Sequence, residues 1–222
     1  DYGKGLADVY AAAAKAHGIE VTAVTSHEDG KADYSAEVAT LASAGGDAIA
    51  VIGYLDQGGK GIIQASLDSG AFDTFILSDG MIGDTLTDTF GKDLNKSFGS
   101  LPGSTGKGAT VFTDVAKAGG IDSSGPYTGE SYDAAALIVL AIQAGGSADR
   151  GSIAKNVMAV ANGPGKKIYP GQLKKALDLL AKGKAVDYEG ATGVNFTDVG
   201  EAEGSFLEKE IKGGKFKTKK QG

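Results

Sequence analysis

Apolar positions along the first hundred residues recur in two alternating rhythms. Residues 4–17 (KGLADVYAAAAKAH) are alanine-rich with helical spacing and close at Gly18, a residue suited to the left-handed position just past a helix end. Residues 19–25 (IEVTAVT) are β-branched and read as a strand. A helical period returns over 34–44, and 47–53 (DAIAVIG) is a short, nearly continuous apolar run of the kind buried on both faces of a sheet. The alternation continues with a helix over 58–69, a strand over 74–77 (TFIL) and a helix over 83–90. Strand alternating with helix predicts right-handed βαβ units and an α/β fold built on a doubly wound parallel sheet.

The rhythm changes at Pro102. Residues 99–108 are rich in Gly, Ser, Pro and Thr and read as a boundary loop. Helices follow over 109–118, 127–144, 151–161 and 170–181, the last with Pro170 near its start and Gly183 beyond its end. No sheet is predicted for these helices. A strand pair over 193–196 and 205–211, joined by the polar stretch 197–204, precedes a lysine-rich tail over 212–222 that reads as a frayed terminus. The expected division is therefore one domain from 1–101 with 199–222 and another from 102–198. A parallel sheet whose first element is a helix lacks the strand that should feed it. The later helices also present apolar faces with nothing to cover, so an N-terminal portion is expected to be missing.

Composition narrows the function classes. With 41% hydrophobic and 23% charged residues among 222, the chain can fill a core. A net charge of −6 offers no field for phosphate backbones, so nucleic acid is a poor partner. The greasiest stretch, 134–144, is short and contains Gln143, whereas a bilayer span needs roughly 20 apolar residues. The absence of cysteine removes thiolate chemistry, and His17 and His27 lack partners at metal-ligand spacing, so no metal and no cofactor are expected. Glycine-rich nucleotide loops, serine-nucleophile elbows and zinc-protease motifs are missing from the sequence. The three Gly-Lys-Gly fragments read as turns, and Asp29, Asp33 and Glu37 as a solvated helix start capped by Asp33 or Ser35.

In an open α/β sheet, ligands bind beyond the carboxyl ends of the strands. Three residues fall there: Tyr54 after the run ending at Gly53, Asp79 in FILSDG, and Tyr2 before the first helix. An Asp flanked by two tyrosine rings suits a small cation such as an amino-acid ammonium, through a charge-assisted hydrogen bond and cation–π faces. The plainer reading makes Asp79-Gly80 a turn and the tyrosines rim residues, and spacing alone favours it.

The order of several segments adds to this. DYGKGLA at 1–7, KADYS at 31–35, DAIAVIGY at 47–54, FILSDG at 75–80, GPY at 125–127, SYDAA at 131–135 and YEGATG at 188–193 together resemble the type I periplasmic binding proteins of ABC importers, in the branched-chain or hydrophobic amino-acid group. The resemblance implies a two-lobed fold, here mainly the second lobe plus the C-terminal part of the first. It implies a solute-binding role without catalysis, with an aliphatic amino acid captured between hinged lobes and delivered to a membrane permease from a periplasmic or lipoprotein-anchored location. Tyr2, Tyr54 and Asp79 match second-lobe positions that close over the ligand, Asp79 taking the ammonium, and Tyr127 matches an aromatic near the hinge. The crossings are expected at 101–104 and 197–200. A ligand-sensing domain of the same fold, a non-amine small acid as ligand, and an α/β enzyme are the alternatives.

Overall fold

A computed structural model describes residues 2–219. Asp1, in the DYGKGLA segment, and residues 220–222 of the lysine-rich tail lie outside the described residues. In chain order the elements are α1 (Tyr2–Ala16), α2 (Ser35–Ala44), β1 (Ile49–Val51), α3 (Gly59–Ser69), β2 (Phe75–Leu77), α4 (Asp84–Phe90), β3 (Phe98–Pro102), α5 (Lys107–Ala118), α6 (Thr128–Gly145), α7 (Arg150–Ala161), β4 (Lys166–Ile168), α8 (Leu173–Leu180), β5 (Val186–Tyr188), β6 (Phe206–Ile211) and β7 (Phe216–Thr218). They form two compact units, one of Asp1–Leu101 with Leu207–Gly222 and one of Pro102–Phe206. Residues 199–206, grouped by the sequence reading with the first unit, thus pack with the second.

In the first unit a five-stranded sheet runs β1-β2-β3-β6-β7, with β1, β2 and β3 mutually parallel and β6 antiparallel to β7. The apolar runs seen in the sequence supply its interior: Ile63, Phe75, Met81, Leu86 and Leu94 are wholly buried, with Val51, Leu77 and Ile211 nearly so. Burying side chains of this size is worth on the order of 1.5–3 kcal/mol each, which holds strands only three residues long in place.

Three expectations for this unit are corrected. Residues 19–25 form no strand, and Ile19 and Val24 are 58% and 64% exposed. A strand exists only through a ladder, and among the described residues no backbone hydrogen bond joins residues 20–26 to another backbone. The segment 99–108 begins inside β3 rather than in a loop, because Gly99 lets β3 approach β2 closely: a Cβ there would stand 2.2 Å from the Leu77 carbonyl oxygen. The tail is not wholly frayed, since Gly213 and Gly214, with φ of 64° and 74°, turn the chain so that β7 pairs back on β6.

The second unit corrects two more. Its helices do have a sheet, the parallel pair β4 and β5, whose register runs from Lys166 opposite Val186 to Ile168 opposite Tyr188. Residues 193–196 are not a strand; Phe196 makes one isolated bridge to Ala202, while β6 belongs to the other unit's sheet. Leu137, Leu140 and Ala141 of α6 pack with Val160, Ile168, Ala176, Val186 and Tyr188. Within this apolar cluster sits Asp133, only 2% exposed. Its carboxylate accepts from the Tyr188 hydroxyl at 2.9 Å, the Ala191 amide at 2.8 Å, and the Thr192 amide and hydroxyl at 2.9 and 2.8 Å. Gly190, at φ 59°, makes room for this arrangement, since a Cβ would lie 2.3 Å from Asp133 Oδ1.

Four donors on a buried carboxylate make it costly to remove, because each is left without a partner in an apolar setting. Asp133→Ala is expected to destabilise the second unit by about 3–5 kcal/mol, read as a lowered denaturant midpoint; a change under about 1 kcal/mol would show that the network carries little. Burial first, then the charge and hydrogen bond of Asp133, push the Tyr188 phenol well above its ordinary value of 10.0. The fold thus favours the neutral phenol, and its contribution is complete below pH 10.0 and declines as pH rises beyond it, where the unfolded chain ionises. Tyr188→Phe should therefore unfold with a shallower alkaline dependence than the parent, as followed by circular dichroism between pH 9 and roughly 12.

Candidate functional site

Parallel pairing brings the candidate residues together. Val51 faces Leu77 in the β1–β2 register, so both strands leave the sheet side by side. The Ser78 amide continues the ladder by donating to the Val51 carbonyl at 3.2 Å. The Ser78 hydroxyl then joins the two exits, accepting from the Gly53 amide at 3.4 Å. Tyr54 follows Gly53, Asp79 follows Ser78 in a single 3-10 turn, and α1 begins at Tyr2 beside them.

Here the first-unit residues singled out in the sequence meet. The Tyr2 hydroxyl donates to Asp79 Oδ1 at 2.5 Å and lies 3.2 Å from Ser78 Oγ. The ring of Tyr2 stacks on that of Tyr54 with centroids 4.9 Å apart and planes 28° from parallel. Tyr54 is 49% exposed, so the stacked pair shows a face to solvent next to the carboxylate. Burial, followed by the hydrogen bond to Asp79 and its charge, raises the Tyr2 phenol above its ordinary value, against opposing hydrogen bonds from Ser78 and the Gly80 backbone. Across neutral pH it stays a proton donor that orients the carboxylate. A shallow open depression adjoins the pair, lined by Tyr54, Leu55, Asp56, Gln57 and Gly80.

The loops are held by close packing. A Cβ on Gly80 would stand 2.4 Å from the Gly53 carbonyl oxygen, and one on Gly59 would meet the side chain of the fully buried Met81 at 2.2 Å. From the other side Tyr34, 4% exposed, sets its hydroxyl where a Cβ on Gly58 would stand 2.7 Å away. That hydroxyl accepts from the Lys31 amide at 3.0 Å and donates to the Glu28 carbonyl at 3.2 Å. The loop over 28–34 is thus fixed against the one bearing Tyr54, a support that sequence spacing did not reveal. Ser78 was likewise passed over, although its place after the apolar run FIL marked it as a strand-end residue.

Tyr127 belongs to the second unit, at the N-terminus of α6. Its φ of 61° is left-handed, the one such value at a described residue other than glycine, and the side chain is 39% exposed. A bulky residue held in that region carries a conformational cost on the order of 1–3 kcal/mol. The expected cap on α2 is corrected: Tyr34 holds the N-cap position with no side-chain cap, Ser35 is the first helical residue, and Asp33 instead closes an Asx turn just before the helix, its Oδ1 accepting from the Ser35 amide at 2.9 Å. Among the described residues no group of three or more acidic or histidine side chains is arranged to hold a metal ion, and no helix is long and apolar enough to cross a membrane.

The fold has clear counterparts among solved structures. The leucine-binding protein LivK of Thermotoga maritima superposes with a TM-score of 0.73 at 21% identity, covering 99% of this chain and 57% of that one. A type 1 periplasmic binding protein of Bordetella pertussis gives 0.71 at 20% identity, over 98% of this chain and 58% of its own. A substrate-binding protein of an ABC transporter from Desulfitobacterium hafniense, solved in complex with Leu, gives 0.58 at 18% identity, over 98% and 57%. By sequence, the substrate-binding protein BasB of a chemotactic signal transduction system in Halobacterium salinarum is 40% identical over 68 residues, 31% of this chain and 16% of that protein. No family model matches. The chain therefore has the α/β fold of the type I periplasmic binding proteins and spans somewhat over half the length of the solved ones.

The tight approach of Gly80 to Gly53 yields a test of the site's geometry. Gly80→Ala should force the two exits apart and weaken the Tyr2–Tyr54 near-ultraviolet circular dichroism toward that of Tyr54→Ala, with about 1–3 kcal/mol lost in stability. A spectrum matching the parent would show that the exits are not held by this contact.

Proposed function

We propose that this chain forms part of an extracytoplasmic solute-binding protein that captures an aliphatic amino acid and presents it to a membrane permease of an ABC importer. In this reading the first unit is the lobe that closes over the ligand. The second unit is the C-terminal part of the other lobe, and the chain crossings at 101/102 and 206/207 are two of the hinge segments. The observation that carries the reading is the Tyr2–Asp79–Tyr54 constellation at the carboxyl ends of β1 and β2.

The chemistry follows from the three groups. Asp79 offers an ammonium a charge-assisted hydrogen bond of about 1.5–3 kcal/mol, and the stacked rings offer apolar wall and cation–π faces worth about 0.5–2 kcal/mol. The solved counterparts named as binding or substrate-binding proteins support binding rather than catalysis. Tyr127, with its fixed left-handed backbone and exposed ring, is proposed as the second unit's aromatic contact to the same ligand. The solved counterparts described as leucine-binding or holding Leu support an aliphatic side chain, and the names periplasmic and substrate-binding support an extracytoplasmic site. The chemotactic relative favours a second reading, in which the liganded form is recognised by a transducer instead of a permease.

Calorimetric titration with L-leucine, L-isoleucine and L-valine tests the proposal, with N-acetyl-leucine as the ligand that lacks the ammonium. Asp79→Asn is expected to weaken amino-acid binding more than tenfold, a loss above about 1.4 kcal/mol, and to leave the weak response to N-acetyl-leucine unchanged. Equal affinities for parent and variant would remove Asp79 from the site, and preference for the acetylated ligand would point to a non-amine acid.

A further inference from the structure

His27 takes no part in the constellation of Tyr2, Asp79 and Tyr54, yet its ring meets both ends of the loop that carries Tyr54. That loop is short: after Gly53 and Tyr54 the chain makes one 3-10 turn over Leu55–Gln57 and enters α3 at Gly59. It closes on Tyr54 itself, whose carbonyl accepts from the amides of Gln57 at 3.2 Å and Gly59 at 3.1 Å. The placing of Tyr54 is therefore set by how Gly53 and Gly58, at the two ends of the loop, are held.

A Cβ on Gly53 would stand 3.5 Å from His27 Nε2, and one on Gly58 would stand 2.9 Å from both Nδ1 and Cε1. The ring edge carrying Nδ1, Cε1 and Nε2 thus occupies the space that a side chain would take at either end. Gly58 has a φ of 119°, a backbone that leaves its bare α-carbon open to the ring and that a larger residue rarely adopts. The imidazole is thin enough to serve both positions at once.

The ring is held from behind as well. Buried Tyr34 meets it in a T-shaped contact, with centroids 5.6 Å apart and planes at 86°, and Nδ1 lies 3.4 Å from the Glu28 carbonyl oxygen. Lys31 bonds to Glu37 of α2 at 2.5 Å and sits 5.7 Å from the Tyr34 ring centroid on its cation–π face. A continuous set of contacts therefore runs from α2 through Lys31 and Tyr34 to His27 and ends on the loop of Tyr54, while the Ser78 hydroxyl holds the Gly53 amide.

We propose that His27 is a positioning residue of the ligand site, a wedge that sets the segment 53–58 and so keeps Tyr54 stacked on Tyr2 before a ligand arrives. Its effect on affinity rests on the amino-acid reading above; its geometry does not. Without the wedge, glycine at both ends lets the loop relax, and the ligand has to order the Tyr54 ring as it binds.

The test incorporates fluorotyrosine into the full chain, with the Tyr54 resonance assigned by its loss in Tyr54→Phe. In fluorine NMR, His27→Ala is expected to move that resonance about halfway or further toward its position in Tyr2→Leu, where the stacking partner is gone, at an unchanged denaturant midpoint. His27→Phe restores a flat ring without the nitrogens and should return the resonance to its parent position. In calorimetric titration with L-leucine, His27→Ala should weaken binding about three- to tenfold, and His27→Phe should not. A Tyr54 resonance unmoved in His27→Ala, a shift that His27→Phe fails to reverse, or a shift matched by a lowered midpoint overturns the proposal. Unchanged leucine affinity in His27→Ala, when the parent binds, overturns it too. A parent that gives no heat with L-leucine while the resonances behave as expected removes the amino-acid reading and leaves His27 as the residue that positions Tyr54.

Discussion

The site depends on one constraint, that the backbone groups of two neighbouring strands satisfy each other in parallel register. Because Val51 faces Leu77 and the ladder extends to the Ser78 amide, the chain leaves both strands at the same height and on the same side of the sheet. Everything placed at the site inherits its position from that exit. Shifting β1 by one residue would move Tyr54 away from Tyr2 and turn Ile49 and Val51 out of the core, and the buried cluster around Ile63 and Phe75 resists this. The strands are short, so register is held less by the number of ladder bonds than by the burial they organise. Glycine completes the constraint at Gly99 and Gly80, where backbone approaches backbone too closely for any side chain.

The second unit solves the same problem with a different device. Its sheet has two three-residue strands, too few to fix the elements around it. Asp133 serves instead, binding α6 to the end of β5 and to the turn that follows through one carboxylate and four donors. A buried network of this kind gains little over an apolar core of equal shape, yet it penalises every arrangement that leaves a donor unmet. The two units thus reach a defined geometry by unlike routes, one through ladder register and core burial, the other through a satisfied buried acid.

Most of the helices were legible in the sequence, as were the strands β1 and β2. Each helix carries several turns of periodicity, and DAIAVIG and TFIL are apolar enough to declare burial on both faces. The misreadings have a common physical root. Residues 19–25 have the composition of a strand, but strand formation is a property of a pair, and composition says nothing about the partner. Conversely, β4 (KKI) and β5 (VDY) become strands through each other while carrying too few residues for any period to show. At the site, Tyr54 and Asp79 could be placed because strand ends can be located from apolar runs, and Tyr2 from its position just before the first helix. Ser78 and Tyr34 were not, since their roles arise from which loops meet, a fact of three-dimensional packing. The left-handed backbone of Tyr127 leaves no trace in composition either.

The proposed selectivity for an ammonium follows from how Asp79 is held. A carboxylate at a solvent-exposed strand end is fully hydrated and would bind any cation weakly. Here one oxygen already accepts a short hydrogen bond from a tyrosine whose own phenol is kept neutral by burial and by that same carboxylate. The bond fixes the plane of the acid and spends part of its hydration before a ligand arrives, so less solvent has to be stripped on binding. The tyrosine ring, pinned by its hydroxyl, then fixes the ring of Tyr54 stacked upon it. An entering cation meets acid and aromatic faces already oriented, whereas an anion or a neutral acid meets a carboxylate it cannot pair and must desolvate without return. The proposed discrimination therefore rests on the Tyr2–Asp79 hydrogen bond and the ring stacked on Tyr2, and phenylalanine at position 2 would keep the stacking surface while losing that bond.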